Sequence, residues 1–377
     1  MTPTAQERLD SPALLESADP GGMLRQVKSS ADQLCIAAQT AAEVDLSQIP
    51  SRIHPRAIVV TGMGGSGVAG EVLSVVCGPG SATQVVALHD YQLPGWVGVP
   101  DLVIAVSCSG ATEETLSSAR EAVRRGCPLI GVGSAGSPLA LLAEQAGAPF
   151  VPVKSTGNPR STFWGLSVPL LVIAERLGVA EIPGAAELEA TAVELERISQ
   201  LCRPDSESVV NPAKTLALEL AGKLPMIWST SPLTSVAAAR FATQLHENAD
   251  YPAMPGMLPE VYDGQAGVFE GPFARRPASD AAVRDREDPS PSVPLHLVIL
   301  RDSQERPRVT HIRKAFTELA EQRGIGVTDL MANGETTLQR LASLIQLIDY
   351  ASVYLGIAIG IDPSQATVIS ELKERIA

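Results

Sequence analysis

Residues 59–70 read VVTGMGGSGVAG, and residues 105–115 read AVSCSGATEET. Each segment is a short apolar run followed by a turn of small residues and then by a helical pattern, which is the order of a strand, a turn and a helix. The second turn holds the hydroxyls of Ser107, Ser109 and Thr112 around one glycine. Hydroxyls and backbone N–H groups at the N-terminus of a helix are suited to bind an anion. The two turns therefore predict an anion site in an α/β fold.

The first turn also invites two nucleotide-binding interpretations. It contains no lysine and does not match the phosphate-binding loop of nucleotide hydrolases. Residues 62–67 fit the spacing G-x-G-x-x-G formally, but no acidic residue closes a second strand at the distance of about twenty residues that dinucleotide-binding folds use. His89 and Asp90 come slightly later. A bound dinucleotide is therefore not the favoured interpretation.

Strands and helices alternate through the first half of the chain. The predicted strands are 57–61, 84–88, 102–107, 129–132 and 150–153, and the predicted helices are 68–76, 113–124 and 138–146, after a helical stretch at 12–42 that residues 19–22 interrupt. Short loops between continuous apolar strands predict a parallel, doubly wound sheet with helices on both faces. Ligands bind at the carboxyl ends of the strands in such sheets, and both turns lie at strand ends of this kind.

A second α/β unit is predicted downstream of a helical connector at 185–222. Its predicted strands are 226–230, 295–300 and 327–331, and its predicted helices are 235–245, 308–323, 338–359 and a C-terminal amphipathic helix at 364–376. Mixed charges and prolines mark residues 270–292 as a surface insertion. We therefore expect two domains, residues 1–180 and residues 181–377, that resemble a degenerate duplication of one fold.

Composition excludes several classes of partner. The chain has 377 residues, a net charge of −13 and 19% charged residues, and it shows no basic patch, so nucleic acid is not an expected partner. The N-terminus lacks an apolar signal core. The longest apolar stretch, residues 341–361, is interrupted by Gln346, Asp349 and Tyr350. We expect it to form a buried helix, with no membrane partner.

The cysteines indicate a reducing compartment. The chain has five of them, an odd number, without the C-x-x-C spacing of zinc sites. Neither a disulfide framework nor a metal-ligand cluster is predicted. Free thiols are typical of the cytoplasm, which is the expected location.

The two turns resemble the signature turns of the sugar isomerase (SIS) family, in particular the bifunctional phosphoglucose/phosphomannose isomerases. The resemblance extends through residues 248–249 and 259–260 to residues 371–373, and so covers most of the chain. It implies two SIS subdomains of flavodoxin-like architecture, a phosphosugar substrate, no cofactor and a homodimer. The residues that would hold the phosphate are Gly64, Gly65, Ser66, Ser107, Ser109 and Thr112.

The same resemblance assigns catalytic roles to three residues. Glu247, in the segment QLHENADYPA at 244–253, corresponds to the glutamate that moves a proton between C1 and C2 through a cis-enediolate. Arg160 corresponds to the arginine that faces the enediolate oxygen, a role that suits a permanently charged donor. Lys373 corresponds to a C-terminal lysine that reaches the substrate.

One position departs from the family pattern. The family places a ring-opening histidine where this chain has Asp263, followed by Gly264 and Gln265. Aspartate is normally ionised at neutral pH and is then a poor acid. Three outcomes stay open: slow isomerisation of open-chain substrate, replacement of the histidine by Asp263 or a neighbouring group, or loss of isomerisation with retained sugar binding.

Two functions follow from these observations. The favoured one is a phosphosugar aldose–ketose isomerase acting on glucose 6-phosphate or mannose 6-phosphate, because Glu247 and Arg160 are both present. The alternative is a non-catalytic phosphosugar-binding protein, which Asp263 favours. A metal-dependent mannose phosphate isomerase is not expected, since the histidines form no ligand cluster.

Overall fold

A computed structural model describes residues 3–49, 54–155, 157–179, 182, 184–274 and 293–376. The chain packs into two compact units. The first unit comprises residues 28–196 and 336–339, and the second comprises the residues up to Val27 together with 197–335 and 340–377. The leading residues up to Val27 therefore pack with the C-terminal half of the chain.

Nine strands and fifteen α-helices are present in the described residues. The strands are β1 (Ala57–Thr61), β2 (Gln84–Leu88), β3 (Leu102–Ser107), β4 (Leu129–Gly133), β5 (Phe150–Pro152), β6 (Leu224–Ser229), β7 (Met254–Met257), β8 (Leu295–Arg301) and β9 (Gly326–Met331). The helices are α1 (Ala5–Asp10), α2 (Pro12–Ala18), α3 (Met23–Lys28), α4 (Ser30–Glu43), α5 (Gly65–Cys77), α6 (Glu113–Arg124), α7 (Pro138–Gln145), α8 (Phe163–Arg176), α9 (Ala185–Leu201), α10 (Pro212–Leu220), α11 (Pro232–Ala249), α12 (Val261–Gly264), α13 (Pro307–Gln322), α14 (Thr337–Ile359) and α15 (Thr367–Ile376).

The first unit is built on a five-stranded parallel sheet in the order β2-β1-β3-β4-β5. Every residue of β1, β3 and β4 is buried, because helices cover both faces of the sheet. On one face α6 and α7 pack in an apolar cluster that includes Val59, Val103 and Leu116. On the other face α5 lies so close that a Cβ at Gly70 would be 2.8 Å from the Cβ of Val60. The predicted doubly wound sheet is confirmed.

The second unit repeats this order with one strand fewer. Its parallel sheet runs β7-β6-β8-β9, so that β6 and β8 correspond to β1 and β3. The sequence analysis missed β7, because Pro255 and Gly256 occupy its centre and both are rare in strands. A proline is compatible with this position because β7 is an edge strand.

The long apolar helix α14 belongs to the interior of the protein. By length and hydropathy it could cross a membrane, but 89% of its most apolar window is buried inside the structure. The prediction of a buried helix is therefore confirmed. Polar side chains of α14, among them Asp349 and Ser352, are also buried and have partners within the second unit.

Several predicted boundaries differ from the structure. Helix α5 begins at Gly65 instead of residue 68, helix α11 spans Pro232–Ala249 instead of 235–245, and α15 begins at Thr367 instead of residue 364. Glycine and serine have low helix propensity, which hid the first turn of α5 in the sequence. Most of the predicted insertion at 270–292 lies outside the described residues.

A buried histidine lies at the start of β8, near the amino end of the second sheet. The Nε2 atom of His296 is 2.8 Å from the hydroxyl of Thr328, which in turn donates to Glu219, and its Nδ1 atom is 3.4 Å from the ammonium of Lys223. These partners fit a neutral ring that carries its proton on Nε2 and accepts at Nδ1. Burial, with Lys223 as the lesser cause, lowers the pKa of His296 to about 4.

This histidine predicts a loss of stability in mild acid. The folded-state pKa lies below the ordinary 6.5, so the unfolded chain binds a proton that the folded chain does not. The free energy of unfolding should therefore fall by about 3 kcal/mol as the pH drops from 6.5 to about 4. Urea titrations of His296→Gln should lack this component, whereas the exposed control His311→Gln should keep it. Equal pH dependence in both variants would contradict the prediction.

Candidate active site

The turn between β1 and α5 leaves the N-terminus of α5 open. Gly64 has φ 54° and ψ −130°, a conformation that side chains other than hydrogen disfavour. A Cβ at Gly64 or Gly65 would meet no atom within 4 Å. By contrast, a Cβ at Gly62 would lie 2.9 Å from the carbonyl oxygen of Val106 in β3. The turn is thus packed tightly against β3 on one side and accessible at the helix end.

The turn between β3 and α6 gathers hydroxyl groups. Ser107 Oγ and Thr112 Oγ1 are 2.9 Å apart, and the N–H of Gly110 donates to Ser107 Oγ at 3.0 Å. Ser109 is exposed, and its Oγ accepts from the N–H of Ala111 at 3.2 Å. Gly110 has φ +66° and lies where a Cβ would be 2.0 Å from Ser137 Oγ. The hydroxyls of Ser107 and Thr112 therefore form a hydrogen-bonded pair, and the Ser109 hydroxyl lies on the same turn.

Direct contacts join the two turns to each other and to the next loops. The N–H of Cys108 donates to Ser66 Oγ at 3.2 Å, and Ser134 Oγ donates to the carbonyl oxygen of Cys108 at 2.6 Å. The Cys108 thiol contacts the hydroxyls of Ser155 and Thr162. Burial raises the pKa of that thiol. All six residues predicted to bind the phosphate are thus at the carboxyl ends of β1 and β3.

Arg160 lies on the loop that follows β5, at the same edge of the first sheet. It sits in a single 3₁₀ turn, Pro159–Ser161, whose start is capped by Asn158. The arginine side chain is 7% exposed. Two residues later Thr162 contacts the Cys108 thiol, which holds this loop against the turn after β3. The loop that the structure holds against the turn after β3 therefore carries a buried, permanently charged guanidinium.

His89 packs against the first turn. Its Nδ1 atom is 2.9 Å from the carbonyl oxygen of Gly62, and its Nε2 atom is 3.6 Å from Glu71 on α5. The ring fills the space that a Cβ at Gly67 would need, since that atom would lie 2.3 Å from the imidazole. His89 therefore supports the shape of the turn.

A carboxylate lies at the carboxyl end of β8, the strand of the second sheet that corresponds to β3. Asp302 follows β8, accepts from Ser231 Oγ at 3.0 Å and pairs with Arg340 at 2.9 Å. Its N–H donates to Thr230 Oγ1 at 3.2 Å. The Asp302 and Arg340 side chains are 5% and 4% exposed. The Asp302 carboxylate and its ion pair with Arg340 therefore fill this position, whereas a Cβ at Gly64 or Gly65 in the first unit meets no atom within 4 Å.

Glu247 is a partly exposed residue in the last turn of α11, in the second unit. The helix ends at Ala249 and is capped by Asp250, which has φ 49° and donates its N–H to the carbonyl oxygen of Leu245. The neighbouring Asn248 is completely buried, and its amide donates to Ser352 Oγ on α14 at 2.9 Å. The local fold therefore fixes the turn that carries the carboxylate.

Asp263 lies far from Glu247 within the second unit. It is exposed in the short helix α12, which follows the carboxyl end of β7. Glu247 lies near the amino ends of the strands, because the 18 residues of α11 run back from the carboxyl end of β6 over about 27 Å. The structure does not bring these two predicted catalytic residues together within one unit.

Gln265 and Lys373 are the two remaining positions that the sequence analysis discussed. Gln265 accepts from Trp228 Nε1 at 2.7 Å and donates to the carbonyl oxygen of Pro255, so it joins β6 to β7. Lys373 lies in α15, and its side chain is outside the described part of the structure.

The sequence analysis missed the residues that brace the turn after β3. Ser134, Ser155 and Thr162 follow the carboxyl ends of β4 and β5 and contact Cys108. Their positions after neighbouring strands of one predicted sheet were the signal that could have identified them.

Comparison with known proteins gives consistent matches. A sequence profile of the bacterial phospho-glucose isomerase C-terminal SIS domain matches residues 209–376. The chain is 32% identical over 322 residues to a bifunctional phosphoglucose/phosphomannose isomerase from Caldicellulosiruptor bescii, covering 85% of this chain and 89% of that one. The enzyme of the same description from Aquifex aeolicus is 30% identical, with 85% and 90% covered. A hypothetical protein from Thermus thermophilus shares the fold, with a TM-score of 0.69 and 16% identity over 99% of this chain and 94% of that one.

The open N-terminus of α5 predicts a variant that loses binding without losing stability. Gly65→Ala adds a methyl group that meets no protein atom, so the melting temperature should not fall. The methyl group should obstruct an anion at the helix end and weaken the binding of fructose 6-phosphate at least tenfold in NMR titrations. Gly80→Ala, which also adds a methyl group in open space but outside the turn, is the matched control. Unchanged affinity in Gly65→Ala would show that this turn does not bind the sugar phosphate.

Proposed function

We propose that the chain, which belongs to the bifunctional phosphoglucose/phosphomannose isomerase family, interconverts glucose 6-phosphate or mannose 6-phosphate with fructose 6-phosphate. The observation that carries this proposal is the hydrogen-bonded hydroxyl pair of Ser107 and Thr112, with the exposed Ser109 on the same turn, beside the open end of α5. Two relatives of the chain, each matched over most of its length, bear the name of this activity.

The first unit binds the phosphate group of the sugar. Ser66, Ser107, Ser109 and Thr112 provide hydroxyls, and the backbone at Gly64 and Gly65 lets the anion approach the helix end. The helix dipole and the hydroxyls supply local attraction, which the protein needs because its net charge is −13.

Glu247 transfers the proton during isomerisation. Its carboxylate removes the proton from C2 of the open-chain aldose and returns it to C1, while the hydroxyl proton moves from O2 to O1. The intermediate is a cis-enediolate, and the Arg160 guanidinium stabilises its negative oxygen. Lys373 binds the substrate from the C-terminal helix. No cofactor takes part.

Asp263 replaces the ring-opening histidine and acts from a second copy of the chain. The separation of Asp263 from Glu247 supports this assignment. Asp263 lies near the carboxyl ends of the strands of the second sheet, and Glu247 lies near their amino ends. Asp263 is exposed and therefore available to a partner. The functional protein is accordingly a homodimer. Its described cysteines are free thiols, which suits the cytoplasm.

Deuterium exchange tests the proton-transfer role directly. Incubated with fructose 6-phosphate in deuterated water, the wild-type protein should produce aldose phosphate labelled at C2. Glu247→Gln should show no label, because an amide cannot accept the proton, yet it should still bind the sugar phosphate. His246→Gln, an exposed neighbour on the same helix, is the matched control and should remain active.

The result also separates the two candidate functions. Binding of the sugar phosphates to the wild-type protein without any exchange would make the chain a non-catalytic phosphosugar-binding protein. Product NMR on each aldose phosphate would show which epimer the chain prefers.

Subunit mixing tests the role of Asp263. Asp263→Asn and Glu247→Gln should each be inactive as homodimers with cyclic glucose 6-phosphate. In co-expressed mixtures, half of the dimers are hybrids with one intact site, so about a quarter of wild-type activity should return. Absence of recovery would place both residues in the same chain's site, and full activity of Asp263→Asn would show that this carboxylate does not open the ring.

A further inference from the structure

A polar stripe on α11 faces a polar stripe on α14 in the second unit. On α11 the contacting residues are Arg240, Gln244 and Asn248, spaced four apart and therefore on one side of the helix. On α14 they are Asp349 and Ser352. Glu247 precedes the last residue of the first stripe, so the contact between the helices ends at the turn that carries this carboxylate.

The contact between α11 and α14 includes a buried ion pair at Arg240. Arg240 Nε is 2.9 Å from Asp349 Oδ1, and Arg240 Nη2 is 2.6 Å from Asp349 Oδ2. The two side chains are 4% and 5% exposed. Two parallel hydrogen bonds from a planar guanidinium restrict orientation as well as distance. This pair therefore sets the rotation of α11 about its axis.

At the last turn of α11, hydrogen bonds connect Asn248 to the backbone of α14. The Asn248 amide donates to Ser352 Oγ, and that hydroxyl donates to the carbonyl oxygen of Asp349 at 2.8 Å. All three residues are buried. The last turn of a helix usually frays, so these bonds hold in place the turn that would otherwise be the most mobile part of α11.

Gly356 lets the two backbones approach each other at this turn. A Cβ at Gly356 would lie 2.3 Å from the carbonyl oxygen of Asn248 and 3.3 Å from its carbonyl carbon. The obstructing atoms are backbone, so no side-chain rotation relieves the contact. A methyl group at residue 356 would displace the turn of Glu247 and Asn248 away from α14.

We infer that Asn248, Ser352 and Gly356 are positioning residues that hold the Glu247 carboxylate in place for proton transfer. The inference rests on the proposed role of Glu247. A general base works only within hydrogen-bond reach of the proton that it removes, and a displacement of about 1 Å can cost about a hundredfold in rate. The anchored turn supplies that precision from three buried residues, which act through the position of the turn.

Gly356→Ala tests the close approach of the backbones. We expect kcat for fructose 6-phosphate to fall by about ten- to a hundredfold, because the carboxylate is displaced. KM should change less than twofold, because the phosphate-binding turns belong to the first unit. Gly267→Ala is the control, since a Cβ at that position meets no atom within 4 Å in the same unit. Wild-type kcat in Gly356→Ala would overturn the inference.

Ser352→Ala tests the same turn with a smaller change. It leaves the Asn248 amide without the hydroxyl that accepts it, and should lower kcat with KM unchanged. Ser343→Ala is the matched control, because Ser343 is another buried serine of α14 whose hydroxyl bonds to Asn333 and Arg340 instead. Ser352→Thr, which keeps the hydroxyl, should retain most of the activity. Equal kcat values in Ser352→Ala and Ser343→Ala would contradict the assignment, even if Gly356→Ala failed to fold.

A second measurement distinguishes positioning from general loss of stability. The ratio of deuterium incorporated to ketose converted reports how long the abstracted proton stays with the base. A displaced Glu247 should raise this ratio in Gly356→Ala and Ser352→Ala, whereas a fraction of unfolded protein would lower both rates together and leave it unchanged. Exchange that persists in Glu247→Gln would instead refute the proposed role of Glu247, and absence of exchange in the wild-type protein would refute the proposed function, so both failures would be recognised separately.

Discussion

The close packing of the β1–α5 turn against β3 is the constraint on which the proposed anion site depends. In a sheet of order β2-β1-β3, the connections after β1 and β3 leave toward opposite faces, and a crevice opens between them. The crevice stays narrow because Gly62 has no side chain to separate it from Val106, and because the Cys108 N–H reaches Ser66 Oγ. The hydroxyls of one turn therefore lie beside the helix end of the other, and neither turn alone would form the site.

The two units place different polar groups at the same position of a shared sheet order. In the first unit, the loop after β3 contributes neutral hydroxyls and a glycine with positive φ. In the second, the loop after β8 contributes Asp302, which takes hydrogen bonds from Ser231 and pairs with the buried Arg340. The carboxylate satisfies the same kind of donors that a bound anion would use. The proposed anion site is accordingly assigned to the first unit.

The sequence alone predicts β1, β2 and β3 to the residue, because their apolar runs end at turns rich in glycine, serine or polar residues. It also predicts that Ser66, Ser107, Ser109 and Thr112 lie at the carboxyl ends of strands of one parallel sheet, and the structure places them there, while their binding of an anion stays a prediction. It does not reveal β7, where Pro255 and Gly256 hide an edge strand, or the structural use of Gln265 by Trp228. Contacts between residues about a hundred positions apart, such as Arg240 with Asp349, leave no local pattern from which they could be predicted.

The same limit applies to the separation of Asp263 from Glu247. In sequence they are 16 residues apart and look like neighbours in one site. Between them α11 ends near the amino ends of the strands, and β7 then carries the chain back to the carboxyl ends. Sequence proximity in an α/β fold therefore means little when one connection lies between two residues. What it does preserve is the helix turn itself: Glu247 and Asn248 are adjacent, so a bond that anchors one of them to α14 restrains the other.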